Sequence, residues 1–563
     1  MKENWIIRKR EPELQKKISE KLSVSPVTAQ VLINRGVNNE AEAEAFFGSS
    51  LFDLPSPFLM KGMDKAVKRL SNAISAKEKI AIYGDYDVDG ITSTSLLFNF
   101  LREIGVDVVY YNPERLTEGY GINFEAVKSL GEKGVTFIVS GDSGITDWEE
   151  GQKAGELGID FIITDHHQPP ARIPEAVSVL NPHIEGCRYP GKEITGVGVI
   201  FNLVIALRRF LRDNGFFGEE EPNLGDFLDL VALGTVADCA PLVNINRIFV
   251  KEGIKRMHEP KRAGIRALKE VSFIDGQVRS SDLGFRLGPR INAVGRLENA
   301  SSAVELFITD DMEQAREIAD NLNRQNITRQ SLEKKIRDQA VSMIENNPEF
   351  RNASALVLSS RDWHSGVIGI VASRIVEMYK KPAFLIAVDD GGIGKGSGRG
   401  LDGINLYEVI SEFGDILIQF GGHELAAGIT IKEDDILAFR ELFNSRTAAL
   451  GDVFSSTLTI DCEVDLDDID HDLVSELSTL EPYGIGNPQP VLLSRSVNVL
   501  SKKVFKEKHL GLKVRCSGDV YDAIWFNSEY QDIPDVIDMV FSPEFNSWNG
   551  RNDVRLTIKD LYW

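Results

Sequence analysis

Three short apolar runs in this 563-residue sequence each end in acids. Residues 79–83 (KIAIY) lead through Gly84 into Asp85-Tyr86-Asp87-Val88-Asp89-Gly90, and 136–140 (TFIVS) through Gly141 into Asp142-Ser143-Gly144. Residues 161–164 (FIIT) lead directly into Asp165-His166-His167. Asp238 adds a fourth contribution, at the end of Gly234-Thr235-Val236-Ala237-Asp238. Clustered carboxylates repel and shift one another's pKa unless a cation neutralises them. Any one of these acids could be a helix cap or a turn former. Their recurrence at three run ends and at Asp238 predicts a metal site.

An imidazole among carboxylates suits Mn²⁺, with Mg²⁺ the next choice and Zn²⁺ disfavoured because no cysteine accompanies them. Asp85, Asp87, Asp89, Asp142, His166 and Asp238 are ligands enough for two ions ~3.5–4 Å apart, the arrangement of phosphoester hydrolysis. Asp142 is the expected bridge, and Asp142, His166 and His167 the expected catalytic group. His167 is expected to point away from His166 and to contact the phosphate.

Other acidic and glycine-rich stretches fit known ion sites less well. Asp85-x-Asp87-x-Asp89-Gly90 has Leu96 where a calcium loop needs a bidentate Glu, and a strand precedes it. Residues 461–472 hold seven acids without the required Gly and read as a solvated loop. The segment 391–400 (GGIGKGSGRG) is no Walker A motif, since Gly396 follows Lys395 where Ser or Thr should hold Mg²⁺. It reads as a loop able to offer N–H groups, Lys395 and Arg399 to a phosphate.

The elements that would position these groups alternate. Residues 79–83, 106–111, 136–140 and 161–164 read as buried strands, with helices predicted over 92–104, 123–132, 147–157 and 226–237. That is the βαβ pattern of a parallel sheet, whose ligands bind outside the carboxyl ends of the strands. Residues 311–345 lack Gly and Pro, have helical composition and carry many charges, which predicts a long connector between two lobes. Strands at 355–359 and 383–388 around a helix at 365–379, with another helix at 406–413, predict a second α/β lobe. After about residue 451 come short alternating segments at 456–462, 491–499, 512–516, 520–526, 536–541 and 553–561, the texture of a small β barrel.

Composition sets outer limits. Hydrophobic residues are 42% and charged residues 26%, ordinary values for globular protein. No apolar run reaches the ~18 residues of a membrane span, and residues 1–21 have no signal-peptide core. Four scattered cysteines fit a reducing cytoplasm better than a disulfide framework. The net charge of −22 would disfavour nucleic acid if it were spread evenly. Locally, residues 499–515 carry Lys502, Lys503, Lys506, Lys508, Lys513 and Arg515 against Glu507 alone. Val504, Phe505, Trp525, Phe526, Phe541, Phe545 and Trp548 lie among or after them, and aromatics beside a positive groove suit single strands.

The four acid-bearing segments are similar to the four motifs of the DHH phosphoesterases. Further segments narrow the resemblance: Pro113-Glu114-Arg115 with Glu118-Gly119-Tyr120-Gly121, Gly288-Pro289-Arg290-Ile291-Asn292-Ala293, and Gly295-Arg296-Leu297. Trp363-His364-Ser365-Gly366 with Ser373-Arg374, Gly398-Arg399 and Gly421-Gly422-His423 extend it. Over most of the chain these resemble the bacterial single-strand-specific exonuclease branch of the DHH/DHHA1 family. One departure is Gly141, where an apolar strand residue is expected before Asp142.

The resemblance implies an α/β fold: a parallel-sheet DHH lobe joined by a long helix to a smaller α/β DHHA1 lobe, then an all-β OB-fold. The division expected is 1–50 (N-terminal helices), 51–310 (DHH), 311–346 (connector), 347–450 (DHHA1) and 451–563 (OB-fold). It also implies 5′-to-3′ hydrolysis of single-stranded DNA in repair and recombination, with Mn²⁺ or Mg²⁺. Arg115, Arg290, Arg296, His364, Ser373, Arg374, Arg399 and His423 become expected substrate contacts. A single-strand-binding protein and a RecQ-type helicase are the partners implied, for a cytoplasmic monomer. Competing readings are a DHH phosphodiesterase on short oligonucleotides or cyclic dinucleotides, and a non-catalytic DNA-binding scaffold.

Overall fold

The computed structural model describes every residue except 1–3, 115–117, 120, 298–299, 451–456, 507, 529–532 and 549–550. The chain divides into two units. One comprises Met1–Asn112, Tyr120–Gly288 and Ser456–Trp563; the other comprises Pro113–Gly119 and Pro289–Ser455.

The first unit begins with β1 (Asn4–Ile7), α1 (Pro12–Leu22), α2 (Pro26–Asn34) and α3 (Glu40–Gly48). Then come α4 (Met63–Ala76), β2 (Lys79–Tyr83), α5 (Val88–Glu103), β3 (Val108–Tyr111), α6 (Phe124–Glu132), β4 (Val135–Ser140) and α7 (Trp148–Glu156). β5 (Asp160–Thr164), β6 (Ser178–Leu180), α8 (Gly196–Asp213), α9 (Leu228–Ala237), α10 (Asn244–His258) and α11 (Ala263–Val271) follow. The strands form a parallel sheet in the order β3-β2-β4-β5-β6. Its order reverses between β2 and β4, so the loops after these two strands part and leave a crevice at the sheet's edge. Asp85 and Asp142 stand at that point.

α5 begins at Val88, four residues before the start expected from the sequence. Asp87 caps it, accepting the Gly90 N–H at 3.0 Å. What looks like a turn in Asp87-Val88-Asp89-Gly90 is therefore the first turn of a buried helix, and Asp89 lies on it. Gly90 is required there, because a Cβ would stand 2.6 Å from the Cβ of Asp85. α9 is apolar on all sides and is buried from Leu228 to Thr235, as a central helix must be.

The second unit holds most of α12 (Gly288–Leu297), then α13 (Ser301–Ile308), α14 (Met312–Asn346), α15 (Pro348–Asn352), β7 (Leu356–Ser360), α16 (Ser365–Tyr379) and β8 (Ala383–Val388). β9 (Ile393–Arg399), α17 (Leu406–Ser411), β10 (Leu417–Gly422), β11 (Ala426–Lys432) and α18 (Ile436–Ala448) complete it. The long helix α14, expected as a connector, falls within this unit. Its Ile336, Ala340 and Ile344 share a core with α16 and Trp363, so its later turns are less solvated than their charge suggests.

The sheet here runs β10-β11-β9-β8-β7, with only β7 and β8 parallel. β9 corrects the glycine-rich loop expected at 391–400: it is a central strand paired to β8 and β11, so its backbone groups serve the ladders. The alternation explains it. Gly394, Gly396 and Gly398 face Ile386, Ile429 and Phe384, and a Cβ at Gly398 would stand 2.3 Å from the Phe384 ring. Lys395, Ser397 and Arg399 take the opposite face.

The chain then re-enters the first unit with β12 (Thr457–Ile460), β13 (Cys462–Glu463), α19 (His471–Ser478), β14 (Leu492–Phe505), β15 (His509–Arg515), β16 (Tyr521–Trp525), β17 (Val536–Trp548) and β18 (Arg551–Tyr562). β14 pairs with both β15 and β17, closing β14-β15-β16-β18-β17 into the five-stranded barrel of an OB-fold. β1 pairs in parallel with β12, and Ile18, Ala29 and Leu32 of the N-terminal helices share the barrel's core.

Candidate active site

All six expected ligands converge. Asp85 leaves β2 and is buried, Asp87 and Asp89 open α5, and Asp142 follows β4. His166 follows β5, and Asp238 ends α9. Ligand atoms group within 4.8 Å in three sets: Asp85, Asp87 and Asp142; Asp89, His166 and Asp238; Asp142, His166 and His167. Asp142 and His166 each belong to two sets.

The His166 ring nitrogen Nε2 stands close to three carboxylates. It lies 3.3 Å from Asp142 Oδ1, 3.6 Å from Asp238 Oδ2 and 3.8 Å from Asp89 Oδ2. Neither this nitrogen nor Asp142 Oδ1 has a hydrogen-bond partner, although both are buried. Oxygen and nitrogen ligands held at roughly 2.0–2.2 Å from one ion stand about 3–3.5 Å apart. The separations of 3.3 to 3.8 Å run from inside that range to slightly beyond it, and with donors left unsatisfied they fit a divalent cation and an oxygen-rich, single-imidazole ligand set.

Backbone features hold the carboxylates in place. Asp89 accepts the Gly196 and Val197 N–H groups at 2.6 and 2.9 Å, at the N-terminus of α8. Gly196 must be glycine, because a Cβ would stand 2.5 Å from the Cβ of Asp142. Asp142 itself has φ 62°, an uncommon conformation for a residue with a side chain. The preceding Gly141 lies against α5, where its Cβ would be 3.1 Å from that of Ser93, so the departure noted in the sequence falls at a tight contact.

Two residues behave differently from the sequence reading. His167 does not turn away: its ring centroid is 4.6 Å from that of His166, and it joins the set around Asp142. Asp165, fully buried, has no role in the sequence reading but holds the two histidines. Its Oδ1 accepts the N–H groups of His166 and His167 and meets His167 Nδ1 at 2.8 Å, while Oδ2 accepts the Ile145 N–H. Its position ahead of the two histidines was the available signal.

The electrostatics follow from this packing. Burial, then repulsion by Asp87, pushes Asp89 up to about 7, and burial with Asp89 and Asp87 pushes Asp238 up to about 8. Burial and the surrounding carboxylates hold Asp142 well above the ordinary range. Burial and the neighbouring His167 lower His166 to about 4. For His167, burial is outweighed by the Asp165 hydrogen bond and charge, which raise it to about 9.

Asp89 and Asp238 thus keep protons in the metal-free fold that the unfolded chain gives up near pH ~4, so this cluster lowers stability as pH rises toward 8. A divalent cation replaces those protons. The melting-temperature gap between samples with Mn²⁺ and with EDTA is expected to widen from about pH 6 to about pH 8. A gap that narrows would remove the cluster as a cation site.

The second unit gathers several expected substrate contacts around the start of α16. His364 caps that helix, accepting the Gly366 N–H, and Arg296 Nη1 donates to Gly366 O at 3.0 Å. Ser373 donates to Gly369 O, and Arg399 donates to Ser397 and to Gly398 O. Arg290 donates to Asn323 on α14. Arg374 stands apart on the surface, paired with Glu377 and Glu333. His423 is exposed in the turn between β10 and β11. Arg115 lies outside the described residues.

The basic run on the barrel is split by strand alternation. Lys503, Lys513 and Arg515 share the outer face; Lys502 is opposite Leu512 and bonds Ile533 O, with Asp535 at 3.6 Å. Lys513 pairs with Asp522 at 3.1 Å. Lys506 and Lys508 flank the tip of the β14–β15 hairpin. Phe541 is core, and Trp525 and Phe545 pack against the core. Phe505 and Phe526 instead gather on His509, with centroids 5.9 and 5.5 Å away. The Trp548 side chain lies outside the described residues.

A doubly wound sheet with carboxylates and imidazoles at its switch point is the arrangement of a DHH-type phosphoesterase. The DHH family N-terminal domain matches residues 79–235, the DHHA1 domain 352–449 and the RecJ OB domain 460–560. The chain belongs to the RecJ family. It is 37% identical to the single-stranded-DNA-specific exonuclease RecJ of Bacillus subtilis, over 99% of this chain and 71% of that one. It is 34% identical to the Salmonella typhimurium RecJ, over the full length of both. Its fold matches Thermus thermophilus RecJ in complex with Mn²⁺ at a TM-score of 0.85, with 30% identity over 100% of this chain and 79% of that one. The Mg²⁺ complex of that protein matches at 0.77, with 28% identity over 99% and 78%.

Proposed function

We propose that this chain is a metal-dependent exonuclease that hydrolyses the phosphodiester bonds of single-stranded DNA from the 5′ end, in DNA repair and recombination. The observation that carries the reading is His166 Nε2, buried without a hydrogen bond and ringed by three carboxylates at 3.3–3.8 Å. Relatives that share the whole chain are named single-stranded-DNA-specific exonucleases.

Two ions fit the ligand sets. Asp85, Asp87 and Asp142 would hold one, Asp89, His166 and Asp238 the other, and Asp142 would serve both. Mn²⁺ and Mg²⁺ are the candidates, both being bound in structures of the T. thermophilus relative. When bound, they would polarise the phosphate and activate the attacking water. Asp165 fixes the ring of His167 and keeps a proton on it, ready to meet phosphate charge. Arg115, Arg290, Arg296, His364, Ser373, Arg399 and His423 would bind the strand. Arg374, satisfied by two glutamates, is the weakest member.

The working division is 1–50, 51–310, 311–346, 347–450 and 451–563. Family resemblance supports a cytoplasmic setting and cooperation with a single-strand-binding protein and a RecQ-type helicase. Among the described residues no helix is long and apolar enough to cross a membrane. The deciding experiment digests single-stranded DNA labelled at either end, with Mn²⁺, Mg²⁺ and EDTA compared. Release of the 5′ label first, abolished by EDTA, is expected. Release from the 3′ end, or cutting of short oligonucleotides alone, refutes the reading.

On the barrel, Lys503, Lys506, Lys508 and Arg515 are the better strand contacts, because Lys502 and Lys513 already meet carboxylates. Each lost phosphate contact lowers the log–log salt slope by ~0.7. Lys503→Glu with Lys508→Glu is therefore expected to weaken long-strand binding and flatten its salt dependence, while digestion of substrates too short to reach the barrel stays near wild type. Equal losses on both lengths would indicate a folding defect instead.

A further inference from the structure

Within the first unit, α3, the N-terminal half of α10 and the loop at Gly486 border a cavity of about 240 Å³, and none of the proposed ligands lines it. Arg35, Arg247 and Lys251 line it, with exposed Glu42 the one carboxylate among its lining residues. Arg247 is only 4% exposed, and among the described residues no carboxylate lies within ion-pair distance of it. Its Nε and Nη1 donate to Phe46 O and Leu480 O, and its guanidinium stacks on the Phe46 ring at 4.0 Å. Those bonds tie three chain segments together, which a neutral donor could also do. They leave Nη2 buried without a partner and the charge uncompensated.

Burying a cation with no counter-charge is costly, and most buried guanidiniums are paired. Burial lowers Arg247 to about 10, and burial with the adjacent Arg247 lowers Lys251 as well. Arg35 does not share the deficit, since Asp461 meets it at 2.8 Å. α10 starts at Asn244, and Val243, Asn244, Arg247, Ile248 and Lys251 line the cavity along one side of its first two turns. A guanidinium and an ammonium beside one hollow are the donors that phosphate recognition uses.

We propose that this cavity is a binding site for a small phosphate monoester, an anion site separate from the carboxylate cluster. Its volume of about 240 Å³ lies just below the ~300–1,000 Å³ of drug-sized pockets, which suits a phosphoryl group with a modest remainder. The site rests on these residues alone and stands whether or not the chain is a nuclease.

The test is calorimetric titration of the full chain in EDTA with inorganic phosphate and with thymidine 5′-monophosphate. Saturable binding is expected for at least one probe, weakened at least about tenfold by Lys251→Glu and by Arg247→Met, and within about twofold of wild type in Asp142→Asn. Tighter binding of the nucleotide than of phosphate would place the nucleoside in the rest of the cavity; equal binding would assign the phosphoryl group alone. Should Arg247→Met fail to fold, Lys251→Glu decides, since Lys251 is only half-buried. Absence of binding to both probes, unchanged affinity in Lys251→Glu, or loss of binding in Asp142→Asn overturns the proposal.

Discussion

Asp142→Ala is expected to cut hydrolysis of single-stranded DNA by about a thousandfold or more, with strand binding within a few-fold of wild type. Asp142 is the one carboxylate whose ligand atoms join both the Asp85–Asp87 set and the His166–His167 set, so its loss disables both at once. Removing a group that positions charge at the reacting phosphate costs orders of magnitude, not a small factor. The backbone complicates alanine, because φ at this position is 62°. Asn tolerates that conformation, so Asp142→Asn isolates the charge. Since burial and then repulsion by the neighbouring carboxylates raise the Asp142 pKa, the Asn variant should melt in EDTA at or above the wild-type temperature. A variant with a tenth of wild-type turnover would sink the assignment.

The second large effect is expected at Asp165, which the reacting atoms need not touch. Its oxygens accept three backbone N–H groups and hold the ring of His167. Asp165→Asn keeps one acceptor oxygen but places an amide N–H₂ or a neutral carbonyl against His167 Nδ1. Partners that orient ligating histidines are worth about 10–100-fold in metal affinity or activity. The same substitution should drop the His167 pKa from about 9 toward the ordinary ~6.5, followed by NMR titration of the metal-free protein. Lowered activity with an unmoved His167 titration would show that Asp165 acts by packing alone.

The catalytic sheet was legible because its signals are local. An apolar run followed by an acid marks a strand end, and three such segments, with Asp238 at the end of a helix, carry every proposed ligand. The misses share a cause: they depend on neighbours distant in sequence. Gly394, Gly396 and Gly398 look like a flexible loop until Phe384, Ile386 and Ile429 are seen filling the space beside them. The alternation of Lys395, Ser397 and Arg399 was the overlooked sign of a strand. The early start of α5 was hidden because Asp87 and Gly90 suit both a turn and a helix cap. The basic run looked continuous, yet β14 sends Lys502 and Lys503 to opposite faces. Nothing near Asn4–Ile7 announces a partner strand at Thr457–Ile460.

That last pairing has a consequence for how the chain is made. Synthesis proceeds at about 5–20 residues per second, so the segment 4–7 waits roughly half a minute or longer for 457–460 to leave the ribosome. During that interval Ile18, Ala29 and Leu32 have no core, because the apolar residues that cover them lie beyond Cys462. The second unit can fold meanwhile as an insertion looped out from an unfinished host. The nascent polypeptide therefore carries an open hydrophobic surface through most of translation, a standing demand on chaperones. A ribosome that stalls before the barrel is encoded would leave that surface permanently bare.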